Sequence, residues 1–542
     1  MSTRGHAMAA GAVLAVAAAL GALQAWALAW PWPVGAGPWL RSGEPAAWLA
    51  LLAHAAAVVG VARARSAGAA AARALVWTAT WLATTFGWLY ISMHVYGGMP
   101  GWLAAVAVAA LALFLALDYA VMAWVWWRWR PAAPWAAALA WAAAWTLAEL
   151  ARGVLWTGFH WGALGYTQVD ALGWAAPWVG VYGLGLVTAA LAAWLALARG
   201  AWRWAAAALC VLLWGWPGLG AWVQQRLPDA TAAAGTLPVR LLQGAIAQDD
   251  KFDPERGIAV ALRWYGQQLV QAASDERLAG GLVVAPETAI PLLPQDVPAD
   301  YWRTLLGHVR QGHVAVLIGL PLGSFERGYT NSVVGWRPGQ ALPVDDAELP
   351  AALSAYRYDK HHLVPFGEFI PPGFRWFVDL MRMPLGDFAR GALPQPPLTW
   401  AGQRIAPHVC YEDVFGEELA AAFADAASAP TVLVNVSNIA WFGDTVAIDQ
   451  HRQIARVRAL ELGRPMLRAT NTGSTAAIDH RGRVLAELPR AQRGVLDVVV
   501  QGRSGLTPYA RWASRWGLAP VLLASLLLWG LAGLFGGRRR AP

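Results

Sequence analysis

Seven apolar runs crowd the first 222 residues of this sequence, near 8–30, 46–62, 74–95, 101–126, 133–150, 168–198 and 204–222. Each approaches the roughly 20 residues with which an α-helix crosses a bilayer core. An eighth run lies near 515–535, just before the end of the chain. Eight transmembrane helices are therefore expected, seven of them in a polytopic α-helical membrane domain over 1–222. Ala27, Leu28 and Ala29 superficially fit a signal-peptide cleavage site. The length of the first run, and the runs behind it, predict an uncleaved helix instead.

Arginines give an independent test of that count. With the N-terminus inside, the cytoplasmic loops carry Arg4; Arg63, Arg65 and Arg73; Arg128 and Arg130; Arg199 and Arg203. Outer loops hold only Arg41 and Arg152 before residue 223. This is the distribution that the positive-inside rule requires. Seven crossings deliver residue 223 to the outer face, and the eighth returns the chain to Arg538, Arg539 and Arg540 inside. The formal net charge of +8 thus reflects topology. No nucleic-acid-binding motif accompanies it. Only 14% of the residues are charged, against about 25% in soluble domains. The 35 tryptophans suit a chain with many lipid–water interfaces.

Residues 223–510 change character, with charges, prolines and turn residues at soluble density. Short apolar stretches recur there: PVRLLQGAI, GGLVVAPE, VAVLIGLPL, RIAPHVC, TVLVNVSN and PMLRATNTG. Helix-length segments such as 256–273 and 445–462 separate them. That alternation predicts an α/β domain built on a sheet. Residues 511–542 then form the last span and an Arg-rich tail.

Three polar residues follow apolar strands, where a sheet presents its ends to a crevice. Glu287 ends LVVAPE, Cys410 ends RIAPHVC, and Lys360 lies in YRYDKHHLVPFGEFIP. Taken singly, the Glu could cap a helix, the Lys could be a solvated charge and the Cys could be buried filler. Cys210, inside an apolar run, reads as such filler. Together the three suffice for acyl transfer without metal or cofactor. A thiol attacks acyl carbon well only as thiolate, so it needs a base. Glu287 can take the proton and return it, and an ammonium can steady the oxyanion. His361 and His362 stand side by side, but no HExxH or CxxC pattern supports a metal site.

These stretches carry a resemblance. APE at 285–287, DKHHLVPFGEFIP at 359–371 and CYED at 410–413 resemble the three catalytic stretches of the nitrilase superfamily. Its membrane-embedded branch, the apolipoprotein N-acyltransferases, is similar over nearly the whole chain. The further matching stretches are YGGMPG at 96–101, ELARGVLWTGFHW at 149–161 and YTNSVVGW at 329–336. VSNIAWFGD at 436–444 and the run 451–479 match as well. The resemblance implies an αββα sandwich for the second domain, with Glu287 as general base, Lys360 as electrostatic stabiliser and Cys410 as nucleophile. It implies that Glu368 supports the nucleophile, and that Tyr411, Glu412, Trp441, Phe442, Phe366 and Phe252 contribute to substrate binding. Two positions depart from the family pattern: Phe252 stands where tryptophan is usual, and Ile439 where an acidic residue is usual.

The implied reaction is a ping-pong transfer of a fatty acyl chain from a phospholipid, phosphatidylethanolamine foremost, to the α-amine of a diacylated apolipoprotein. The implied setting is the bacterial inner membrane, with a monomer whose catalytic domain faces the periplasm. A membrane-tethered amidase or nitrilase using water is the alternative. A transporter or receptor fits less well, because ionisable residues in the spans are few (Asp118, Glu149, His54).

Overall fold

The computed structural model describes residues 3–33, 37, 39–216, 218–324, 328–341, 343, 345, 347–378 and 388–537. The side chain of Arg4 and the tail arginines Arg538, Arg539 and Arg540 lie outside what is described. The chain divides into two compact units. One comprises Met1–Tyr90, Pro100–Pro228 and Leu518–Pro542, and the other Ile91–Met99 and Asp229–Gly517.

The first unit is helical. Its principal helices are Thr3–Ala29, Ala47–Ala62, Ala67–Thr85, Gly101–Trp129, Pro134–Val154, Ala176–Leu197, Ala201–Trp214 and Ala519–Phe535. Each falls on or beside one of the eight apolar runs. Among the described residues, Ala10–Ala29, Gly101–Trp129 and Gly173–Leu197 are long and apolar enough to cross a membrane. The number rises to five if two pairs of helices separated by short breaks each make one span. Apolar side chains such as Leu113, Phe114, Leu117 and Val121 face outward on Gly101–Trp129. The interior holds stacked indoles instead, Trp77, Trp141 and Trp145, around His54, which accepts a hydrogen bond from Trp141 Nε1 at 2.9 Å.

Helix boundaries differ from expectation in three places, and the run expected near 204–222 ends its helix at Trp214. The third helix starts at Ala67 because Ser66 caps it, its Oγ accepting from Ala69 N at 3.1 Å. The run expected near 168–198 becomes helical only at Ala176. The backbone between Val154 and Ala176 is irregular, and Gly158 and Gly162 adopt left-handed φ there. Two charges on the preceding helix satisfy that segment. Arg152 donates to the carbonyls of Phe159 (2.8 Å) and Trp161 (2.9 Å), while Glu149 accepts from Leu164 N at 2.8 Å.

The second unit holds twelve strands in two six-stranded sheets. The first contains β1 (Ala232–Gln243), β2 (Leu282–Val284), β3 (Ala315–Ser324), β4 (Gly328–Trp336), β5 (Tyr356–Asp359) and β12 (Gly494–Ser504), ordered β12-β1-β2-β3-β4-β5. The second contains β6 (Leu398–Trp400), β7 (Gln403–Val409), β8 (Val432–Ser437), β9 (Met466–Thr470), β10 (Ala476–Ile478) and β11 (Val484–Glu487), ordered β11-β10-β9-β8-β7-β6. Each has a parallel centre, β1-β2-β3 or β7-β8-β9, with antiparallel neighbours outside. Strands buried on both faces read as continuous apolar runs, as LVV and VLVNVS do here.

Three cores follow from this layering. Leu237, Val239, Leu282, Val284 and Leu317 of the first sheet meet Ile405, Val409, Val434, Val436 and Leu467 of the second. The outer face of the first sheet packs on helices Ala259–Ala273 and Ala299–Gln311 through Leu269, Trp302 and Leu306. The outer face of the second packs on Gly416–Ala421, Ala447–Leu462 and Pro508–Trp516. This is the αββα sandwich that the resemblance implied.

Candidate active site

The polar residues singled out in the sequence lie at the carboxyl ends of strands from both sheets. Glu287 follows β2 and Lys360 follows β5 in the first sheet, while Cys410 directly follows β7 in the second. Cys410 sits in left-handed backbone, φ +52°, at the start of a tight turn over Cys410–Val414. A non-glycine residue rarely adopts that conformation, and its cost is met where surrounding bonds enforce it. Here the Cys410 carbonyl accepts from Asn435 Nδ2 at 3.1 Å and His451 Nε2 at 3.2 Å. The β7–β8 register, Val409 opposite Val436, brings Ser437 beside the cysteine. Ser437 Oγ donates to its Sγ at 3.2 Å.

Lys360, only 1% exposed, pairs with Glu368 Oε1 at 2.9 Å and with Glu287 Oε1 at 3.6 Å. Between the two carboxylates stands Asn331, in the YTNS stretch of β4. Its Nδ2 donates to Glu287 Oε1 (2.7 Å) and Glu368 Oε1 (2.8 Å). Strand pairing places it there: Ser332 lies opposite Asp359, and Lys360 N donates to Asn331 O at 2.8 Å. Glu287 Oε2 accepts from the backbone N of Asn438 at 2.7 Å, and Glu368 Oε2 from Val364 N at 2.8 Å. Both carboxylates are thereby held in one orientation.

Electrostatics follow from burial. Burial, then the Glu287 carboxylate, push the Cys410 thiol up to about 12, with Lys360 and the Ser437 hydrogen bond opposing them. At rest Cys410 is therefore a thiol, which would have to lose its proton before its sulfur could act as a nucleophile. Burial alone would lower Lys360, but Glu368, Glu287 and Cys410 more than reverse that and hold the ammonium well above its ordinary value. Lys251 also belongs here. It is buried, donates to the backbone O of Glu287 at 3.4 Å, and is pulled down to about 8 by burial, against Glu287 and Cys410.

Behind the cysteine, Glu412 accepts from the backbone N of Val409 (2.6 Å), His361 (2.7 Å) and His362 (3.2 Å) and from Tyr358 Oη (3.0 Å). It clamps the turn, and burial raises its carboxyl in spite of those amides. Asp413 is fully buried and meets His408, His451 (3.3 Å) and Arg468 (3.0 Å). Arg468 Nη2 donates to His451 Nδ1 at 3.1 Å, so Nε2 carries the proton that faces the Cys410 carbonyl.

The aromatic residues are placed less centrally. Trp441 and Phe442 are half-buried in the turn Ile439–Phe442, just after Asn438, and Trp441 meets Tyr96 edge-on at 6.0 Å. Phe366 has φ +63° and packs edge-on against Phe374 at 5.5 Å. Phe252 is 44% exposed beside Lys251, Tyr411 is buried against Phe415, and Ile439 is buried. Sequence reasoning missed Asn331, Ser437, Lys251 and the Asp413 cluster. Asn331 and Ser437 lay inside quoted motifs, where a polar residue within an apolar strand was the available signal.

An αββα sandwich with a cysteine, a glutamate and a lysine on adjoining strand ends defines a carbon–nitrogen hydrolase fold. Comparison with known proteins agrees: residues 239–509 match the family described as carbon-nitrogen hydrolase, and residues 42–194 match the apolipoprotein N-acyltransferase N-terminal domain. An apolipoprotein N-acyltransferase of Verminephrobacter eiseniae is 50% identical over 523 residues, covering 92% of each chain. That of Ralstonia nicotianae is 46% identical over 469 residues, 85% of this chain and 84% of its own. That of Bordetella bronchiseptica is 40% identical over 560 residues, 97% of this chain and 98% of its own. The chain belongs to the apolipoprotein N-acyltransferase family.

Proposed function

We propose that this chain transfers a fatty acyl group from a membrane phospholipid, phosphatidylethanolamine foremost, to the N-terminal amine of a diacylglyceryl-cysteine on an apolipoprotein. The observation that carries the reading is the buried ammonium of Lys360, paired with two carboxylates beside a thiol that burial keeps protonated. In the first half-reaction, Cys410 Sγ attacks the ester carbonyl as Glu287 takes its proton. Lys360 and the backbone N–H of Tyr411 stabilise the oxyanion. The ester C–O bond breaks, and Glu287 returns the proton to the departing lysophospholipid. In the second, the lipoprotein amine attacks the thioester, giving up a proton to Glu287. The C–S bond breaks, and the proton returns to Cys410. An ester is exchanged for an amide, so no outside energy source is required.

Glu368 orients Lys360, and Glu412 secures the turn bearing the nucleophile. Phe252, Phe366, Trp441 and Phe442 supply apolar surface for acyl chains. The eight-span topology follows from the arginine distribution, with domains over 1–222, 223–510 and 511–542. It puts the catalytic domain on the periplasmic side of the inner membrane, in a monomer. Tethering suits the chemistry, because each CH₂ drawn out of lipid costs about 0.8 kcal/mol.

The test is intact-protein mass spectrometry after incubation with phosphatidylethanolamine, comparing wild type, Cys410→Ala and Glu287→Gln. One fatty-acyl mass on wild type, absent from Cys410→Ala and discharged by a diacylated lipopeptide, is expected. Discharge by water alone at the same rate would refute the transferase in favour of a hydrolase.

A further inference from the structure

Lys251 lies in the QGAIAQDDKF loop that follows β1. This loop is tied to the site by Asn471, which bonds both ways with Ile246, and by Gln248, whose Oε1 accepts from Asn438 Nδ2 at 3.0 Å. The Lys251 side chain is buried, and its ammonium reaches the Glu287 carbonyl. Among the described residues no carboxylate lies within ion-pair distance of it. Of the acids on its own loop, Asp250 pairs with Arg256 at 3.2 Å. A buried ammonium without a carboxylate is costly, so its field must be used.

The formal charges around Cys410 indicate how. Glu287 and Glu368 contribute two negative charges and Lys360 one positive. Asp413 is matched by Arg468, with His408 and His451 between. The Glu412 carboxylate is engaged by three backbone amides and Tyr358. The catalytic carboxylates and Lys360 thus leave one net negative charge facing the thiol, in surroundings that screen it poorly. We infer that Lys251 is the second cation of the catalytic site, a positioning residue that neutralises this excess. Its field reaches both Glu287 and Cys410, so it steadies the negative charge whether that charge rests on the carboxylate or passes to the thiolate, while Glu368 stays paired with Lys360. Its bond to the Glu287 carbonyl also anchors the turn where Thr288 takes φ +49°.

This inference rests on the acyl-enzyme reading above. Because Lys251 loses its charge near pH 8, wild-type acylation should fall as pH rises through that value. The experiment is single-turnover acylation by phosphatidylethanolamine vesicles across that pH range, read as acyl-Cys410 mass, with Cys410→Ala as control. Lys251→Met is expected to slow acylation about tenfold or more, the equivalent of one pKa unit on the thiol, and to abolish the falling limb. Lys251→Arg, which stays charged, should keep most of the rate and move the limb to higher pH. Should the Met variant fail to fold, the limb shift in Lys251→Arg decides. A limb near pH 8 that survives in Lys251→Arg, or a Met variant as fast as wild type, would overturn the inference. Wild type that gains no acyl mass at all would instead overturn the acyl-enzyme reading.

Discussion

Asn331→Asp is the sharpest test of the site's internal logic, because it exchanges two donors for a charge without changing shape. The wild-type amide donates to Glu287 at 2.7 Å and to Glu368 at 2.8 Å. Hydrogen bonds to charged partners are worth about 1.5–3 kcal/mol each, so losing both removes about 3–6 kcal/mol of organisation. If about half of that is expressed on the path to acylation, at 1.36 kcal/mol per factor of ten, the rate falls by about ten- to a hundredfold. The new carboxylate also sets a third negative charge against the other two, with Lys360 unchanged. That repulsion works against the proton-free carboxylate of Glu287 on which acylation depends. The variant should therefore lose more acylation rate at neutral pH than the loss of donors alone accounts for. Asn331→Ala should be slowed less, since it removes donors but adds no charge. Single-turnover acylation followed by intact mass, beside a melting curve for each variant, supplies the measurement. An Asn331→Asp enzyme within about threefold of wild type at neutral pH would refute the reasoning.

Three further outcomes follow from particular contacts. Ser437→Ala, which removes the hydrogen bond to Cys410 Sγ, should slow acylation about two- to tenfold with little loss of stability, the worth of one ordinary hydrogen bond; equal rates would show the contact to be idle. In a Cys210→Ala background, alkylation of Cys410 by iodoacetamide should rise throughout pH 7 to about 10, since the thiol is pushed up to about 12; a plateau near 8.5, the pKa of a free thiol, would contradict that. Leu467→Ala, in the fully buried core between the sheets, should destabilise the protein by about 2–5 kcal/mol in a denaturant or thermal melt; a cost under about 1 kcal/mol would mean that this core is loosely packed.

Glu287, Lys360 and Cys410, which the structure brings to adjoining strand ends, stood out in the sequence because two of them end apolar strands and all three carry chemistry unlike their surroundings. Asn331 offered less, because its role comes from the β4–β5 register, a pairing of distant residues that local pattern does not encode. The helix Ala447–Leu462 is a stronger case. HRQIARVRALEL reads as a surface face, yet every residue of that helix is buried. Its charges are consumed internally: Arg452 pairs with Glu487 at 2.6 Å, Arg458 with Glu461 at 2.7 Å, and Arg456 donates to Gly482 O at 2.7 Å. Periodicity distinguishes apolar from polar faces, and it cannot see partners that arrive from elsewhere in the chain. In the helical unit, hydropathy found the helices but not where they stop. The stretch between Val154 and Ala176 is apolar enough to continue a helix, and its irregular course depends on hydrogen bonds to Glu149 and Arg152.

Glu287 and Lys360 stand on one sheet, and Cys410 on the other. The apolar layer between the sheets, with bonds across it such as Asn438 N to Glu287 and Tyr358 Oη to Glu412, keeps the two halves of the chemistry in step. A slip of one residue along a strand is about 3.3 Å, comparable to the whole reach of a proton transfer. Catalytic output is thus a vernier on the alignment of two stacked surfaces. Loosening that layer should silence the enzyme while its helices and strands still give a native spectrum, so defects in this family can arise far from any residue that touches a substrate.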